Sequence, residues 1–195
     1  DFVIEAVLEE MPIKKKVYGE LDEHVSETCI LATNTSSLSV TEMASDLKHP
    51  ERVVGFHFFN PVAAMPLLEI VKAEKTSDPA LITAFDTGRK LGKRCVLCKD
   101  APAFIVNRLL LRSMVETLKL VDEGNDFKEV DDALWAMGGP MPHFVLMALV
   151  GPAIALHTNE TLADAFPDRY VVSQNFKQLV ARKKQGVYGR DGQVD

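Results

Sequence analysis

The chain has 195 residues, 47% of them hydrophobic and 26% charged, and a formal net charge of −6. This is ordinary globular composition, enough for one large domain or two small ones, and the acidic balance argues against a nucleic-acid surface. No positively charged leader with an apolar core opens the sequence. The longest apolar stretch, Phe104 to Val121, is interrupted by Asn107, Arg108, Arg112, Glu116 and Lys119, a pattern of a buried helix and not of a membrane span.

From the start, residues 2–8 predict a strand. Between Glu9 and Glu27 the apolar residues Ile13, Val17, Leu21 and Val25 recur every fourth position, predicting a helix with one buried stripe. Cys29 to Ala32 predict a short buried strand, and Asn34-Thr35-Ser36-Ser37 a polar turn after it. Ser39 and Glu42 have capping-box spacing and open a short helix. Strands are expected at 52–59 and 66–73. Asp78-Pro79 predicts an N-cap and first turn for a helix to Gly92, and Cys95 to Cys98 a last strand. Helices alone follow, at 103–123, 127–137, 143–157 and 172–184, with Asp126 and Glu129 capping the second.

The alternation of strand and helix before Lys99-Asp100-Ala101-Pro102 predicts a parallel, doubly wound sheet over residues 1–100, followed by an all-helical domain over 101–195. The chain begins at Asp1 with no Met and holds no Gly-rich phosphate loop, so it is expected to be the rear part of a longer protein. Three cysteines make no disulfide framework. The Cys95/Cys98 pair lies in an apolar run with no second pair for zinc, and core packing is the expectation for it; no metal site is expected. The default compartment is the reducing cytoplasm.

One stretch carries chemistry. His57 closes an apolar run and is followed at once by Phe58-Phe59-Asn60-Pro61, while Glu69 lies among Leu67, Leu68, Ile70 and Val71. A lone buried carboxylate costs several kcal/mol, on the order of 3–5, unless it finds a partner. His57 at a neighbouring strand end is the nearest candidate, and an imidazole oriented by a carboxylate is a general base. In an open α/β sheet, ligands bind at the carboxyl ends of the strands. The Asn34–Ser37 turn and His57 both follow apolar strands, and on that ground face one crevice.

Four stretches in register, Asn34-Thr35-Ser36-Ser37-Leu38, His57-Phe58-Phe59-Asn60-Pro61, Glu69 and Phe104 to Leu110, are similar to L-3-hydroxyacyl-CoA dehydrogenase. Ala165 to Arg169 and Gly186-Val187-Tyr188 look more like the dehydrogenase part of multifunctional β-oxidation proteins. The resemblance implies the rear part of a Rossmann domain followed by the family's helical domain. It implies oxidation of the 3-hydroxyl of an acyl-CoA with NAD as hydride acceptor, and a homodimer or a place in a larger multifunctional chain. It assigns His57 as base, Glu69 as its partner, Ser36 to the substrate oxygen or the nicotinamide, and Asn107 to the developing carbonyl oxygen. It also assigns Glu9, Lys14, Ser36 and Asn34 to NAD.

Other readings of the same residues stay open. Asn34 and Ser36 also suit a plain turn and cap, Glu9 and Lys14 an exposed helix pair, and Glu69 a partner among the Lys and Arg residues of the helical domain. The whole chain also fits a non-catalytic assembly module of the same fold, or a dehydrogenase of a 3-hydroxy acid that does not use CoA. The sequence departs from the family where Ala103 replaces a glycine, where Met141-Pro142-His143-Phe144 replaces a Met-Gly-Pro-Phe turn, and where Ala148 and Ala153 replace acidic residues.

Overall fold

The computed structural model describes residues 1–139 and 141–188. The chain forms two compact units, Asp1–Ile105 and Val106–Asp195. The first runs β1 (Phe2–Glu5), α1 (Met11–His24), β2 (Ile30–Thr33), α2 (Val40–Ala44), a 3-10 turn at Pro50–Arg52, β3 (Val53–Phe58), β4 (Leu67–Lys72), α3 (Asp78–Lys90) and β5 (Arg94–Lys99). One five-stranded sheet takes the strands in sequence order. Period-two alternation sends side chains to both faces, and helices cover both. Leu31, Val53 and Val71 pack with Tyr18 of α1 and Val40 and Met43 of α2. Ile30, Ala32, Val54, Phe56, Leu68 and Ile70 pack with Ala80, Leu81 and Ala84 of α3.

The α/β class of the first unit agrees with expectation, but the sheet is not wholly parallel. β1–β2, β2–β3 and β4–β5 are parallel, whereas β3–β4 is antiparallel. Residues 59–66 connect β3 to β4, and that is shorter than the dozen or so residues a parallel crossover takes.

Other differences have local causes. β1 stops at Glu5, whose carboxylate takes the Val7 amide at 2.6 Å and so removes it from the ladder. The buried positions of α1 are Lys14 and Tyr18, with Met11, Leu21 and Val25 beside them, because Lys14 enters the interior as half of an ion pair. The N-cap of α3 is Ser77, whose Oγ accepts from the Ala80 amide at 3.3 Å. Asp78 lies in the first turn, where its charge complements the helix dipole. Ser39 caps α2 as its spacing predicts, accepting from the Glu42 amide at 3.1 Å. The Asp100 carboxylate joins it, taking the Val40 and Thr41 amides at 3.1 and 2.8 Å.

The second unit holds α4 (Val106–Asp122), α5 (Phe127–Ala136), α6 (His143–Val150), α7 (Pro152–Ala165) and α8 (Gln174–Ala181). Asp126 caps α5 with both the Lys128 and Glu129 amides. The helix expected over 143–157 is broken in two. Gly151 takes φ +99°, which a residue with a Cβ avoids, and Pro152 lacks the amide that would continue the ladder. No single helix among the described residues is long and apolar enough to cross a membrane; α6 and α7 reach that length only as a pair bent by 103°.

Candidate active site

The antiparallel pair puts His57 directly opposite Glu69. Directly opposed residues share a face of the sheet, so the side chains meet. His57 Nδ1 lies 2.8 Å from Glu69 Oε2, with the two side chains 6% and 1% exposed. A carboxylate only accepts, so Nδ1 bears a hydrogen, and in the neutral imidazole the lone pair is on Nε2. The other Glu69 oxygen accepts from the Ile105 amide at 3.0 Å. Rings of Phe59 and Phe104 flank the imidazole, with centroids at 4.6 and 5.7 Å. The Phe104 backbone has φ +50° and Ala103 before it +58°, so the connector reaches Glu69 through two consecutive left-handed residues, neither of them glycine.

The polar turn after β2 is held from both sides. Asn34 Oδ1 accepts from the Phe58 amide at 2.9 Å, tying the turn to the residue after His57. Glu9 Oε1 accepts from Thr35 Oγ1 at 2.6 Å, the Ser36 amide at 2.8 Å and Ser36 Oγ at 3.2 Å. Burial alone pushes the Glu9 carboxyl up. The bonds from Thr35 and Ser36 and the charge of Lys14 outweigh that and hold it below the usual range. The turn residues are therefore more than caps: it is Thr35 Oγ1 that takes the Leu38 amide, at 3.0 Å, and Ser39 that caps α2.

Lys14 and Glu9 are not an exposed helix pair. The Lys14 side chain is 1% exposed, and its Nζ lies 2.8 Å from Glu5 Oε1, 3.3 Å from Glu9 Oε2 and 3.4 Å from the Val7 carbonyl oxygen. Glu5 escaped the sequence reading. Its signal was akin to that of Glu69, a carboxylate beside aliphatic residues of a strand, here at the end of Phe2-Val3-Ile4-Glu5. Asn34, Ser36, Glu9 and Lys14 are thus gathered at the carboxyl ends of β1 and β2. Asn107 is the second residue of α4, in the second unit.

The cysteines pack. Cys95 and Cys98 are three apart on β5 and so point to opposite faces of the sheet, Cys98 into the cluster with Leu31 and Val53, Cys95 toward that of α3. Burial, helped by the charges of Glu69 and Asp100, pushes the Cys98 thiol up to about 12, leaving it without thiolate character.

Residues 1–101 match the NAD-binding domain of 3-hydroxyacyl-CoA dehydrogenase, and residues 104–195 match the C-terminal domain of the same family. The chain therefore belongs to the 3-hydroxyacyl-CoA dehydrogenase family, a family of oxidoreductases. It is 41% identical over 169 residues to the fatty acid oxidation complex subunit alpha of Acinetobacter baumannii, which covers 87% of this chain and 24% of that protein. The chain thus spans about a quarter of the length of the curated relatives it matches. Among solved structures it superposes on M. tuberculosis FadB2 with a TM-score of 0.91 and 32% identity, over 100% of this chain and 69% of that one. The 3-hydroxybutyryl-CoA dehydrogenase of Escherichia coli K12 gives the same TM-score of 0.91 and 32% identity, over 100% of this chain and 43% of that one.

Proposed function

We propose that this chain carries the dehydrogenase step of fatty-acid β-oxidation, the conversion of an L-3-hydroxyacyl-CoA to the 3-ketoacyl-CoA. The observation that carries the reading is the Glu69 carboxylate 2.8 Å from His57 Nδ1, which fixes the imidazole with its lone pair on Nε2. NAD, when bound, supplies the acceptor for the hydride that leaves C3. His57 Nε2 takes the hydroxyl proton as the C3–O bond becomes a carbonyl, and Glu69 stabilises the imidazolium that forms. Ser36 Oγ suits the substrate oxygen or the nicotinamide side, and Asn107 suits donation to the carbonyl oxygen where negative charge builds.

The residues after β1 and β2 fit one part of the cofactor. Glu9 is ionised and its side chain 30% exposed, so it accepts from ribose hydroxyls or an amide and repels phosphate. That end of the sheet is assigned to the nicotinamide riboside half, with Asn34 and Ser36 framing it and Lys14 behind Glu9. The helical unit is assigned to substrate binding and dimerisation, either as a homodimer or within a larger multifunctional chain. The test is NADH-dependent reduction of acetoacetyl-CoA by the full-length gene product. The wild type is expected to turn over, while His57→Gln binds NADH as well as wild type and loses turnover on the order of 10²–10⁴-fold. A protein that binds neither NADH nor the thioester is an assembly module, and one that prefers the free 3-hydroxy acid has a different substrate.

A further inference from the structure

We infer that Glu5 is a positioning residue for this site: its buried carboxylate holds Lys14 back from Glu9, so that Glu9 stays bonded to Ser36 and Thr35. The inference rests on the dehydrogenase reading above and adds a residue that reading does not use. Glu5 is 4% exposed and closes β1 at its carboxyl end. Oε1 takes the Val7 amide at 2.6 Å and Lys14 Nζ at 2.8 Å, and Oε2 takes Thr33 Oγ1 at 2.8 Å. An ammonium has three hydrogens, and Lys14 has three acceptors within reach, Glu5, Glu9 and the Val7 carbonyl. The contact with Glu5 is the short one, and that with Glu9 is long at 3.3 Å.

This asymmetry decides what Glu9 can do. Its Oε1 holds Thr35 Oγ1, the Ser36 amide and Ser36 Oγ together, while only Oε2 faces Lys14. Without charge on Glu5, a buried ammonium has Glu9 as its one remaining carboxylate among these contacts. It draws that group inward, and Oε1 leaves Ser36. Glu5 also reaches the turn by a second path, because Thr33 Oγ1, its donor, accepts the Thr35 amide at 3.2 Å.

The test is Glu5→Gln in the full-length gene product, read as NADH affinity by fluorescence titration, as hydrogen exchange at the Ser36 amide, and as Tm. Loss of one charge-assisted contact is expected to weaken NADH binding about tenfold and to speed Ser36 exchange. If Glu5→Gln does not fold, Glu5→Asp keeps the charge but withdraws it by one methylene, and the same readings apply. A lower Tm with NADH affinity within about twofold of wild type makes Glu5 purely structural and overturns the inference. A wild type that does not bind NADH is a separate outcome, which removes the dehydrogenase reading and this one with it.

Discussion

Glu69→Gln isolates the charge of the dyad with almost no change of shape, and the outcome follows from which atoms the side chain must face. In the wild type one carboxylate oxygen accepts from His57 Nδ1 and the other from the Ile105 amide. A carboxamide has one acceptor end and one donor end. If its oxygen stays on the Ile105 amide, its NH2 faces Nδ1, which must then accept, and the imidazole hydrogen moves to Nε2. The lone pair needed for the hydroxyl proton is gone. If the amide flips, its NH2 meets the Ile105 N–H, and a buried donor loses its partner at a cost of about 1–3 kcal/mol. The first arrangement keeps both bonds and is the expected one. Turnover should therefore fall by most of what a general base supplies, on the order of 10²–10⁴-fold, which is about 3–5 kcal/mol of barrier. The assay is kcat for NAD-dependent oxidation of 3-hydroxybutyryl-CoA, with NADH affinity measured in parallel and expected to hold. The double variant with His57→Gln should be little worse than either single one, because the two residues act as a unit. A Glu69→Gln enzyme within about threefold of wild-type kcat would refute the assignment of Glu69 as the partner that sets the tautomer.

Three further outcomes are expected. Gly88 of α3 has no room for a methyl, since a Cβ there would come 2.4 Å from Cys95 Sγ and 2.8 Å from Leu68 Cδ2. Gly88→Ala should cost about 1–3 kcal/mol in denaturant unfolding despite its better helix propensity, and Cys95→Ala in the same chain should return part of it. Burial pushes His143 below the ordinary histidine value, with the Asp131 charge opposing. The unfolded chain therefore takes this proton first, so its stability contribution is intact above about pH 6.5 and is lost as pH falls from there toward the folded value. Trp135, the one tryptophan, lies in the same unit and reports the transition, and His143→Gln should flatten its pH dependence. With an aromatic disulfide reagent on native protein, Cys98 should stay unlabelled until unfolding, because its thiol is buried and pushed up to about 12.

What was legible in the sequence depended on whether a residue's environment could be read from its near neighbours. The caps at Ser39 and Asp126 are local contacts between a side chain and amides two or three residues on, and spacing alone found them. The pairing of His57 with Glu69 was legible because a carboxylate inside an aliphatic run has to be satisfied by something. Lys14 was not, since a helical lysine reads as polar surface unless its partners are known, and its partners stand five and nine residues earlier, in the loop before the helix and at the end of β1. Nor was the backbone at Phe104, since a φ of +50° leaves no trace where the residue is not glycine, whereas at Ala103, φ +58°, the glycine of the family was the trace. The break at Gly151-Pro152 was written in the sequence and lost to the apolar pattern that runs across it.

The dyad itself depends on a connection that carries no chemistry. Residues 59–66 are too few to carry β4 back for a parallel pairing, so the chain must reverse, and reversal alone would fix only the direction of β4. Its register decides the rest. His57 stands opposite Glu69 in the present pairing. A shift by one residue would bring Leu68 or Ile70 to that position and send Glu69 to the other face, among Phe56, Val54 and Ala80, where a carboxylate has no partner. The aliphatic neighbours of Glu69 therefore enforce the register together with the imidazole. Lys93 restrains the connection as well, donating to the Val62 and Met65 carbonyls at 2.5 and 2.8 Å. The alternation that made Glu69 look costly in the sequence is thus the same feature that delivers it to His57.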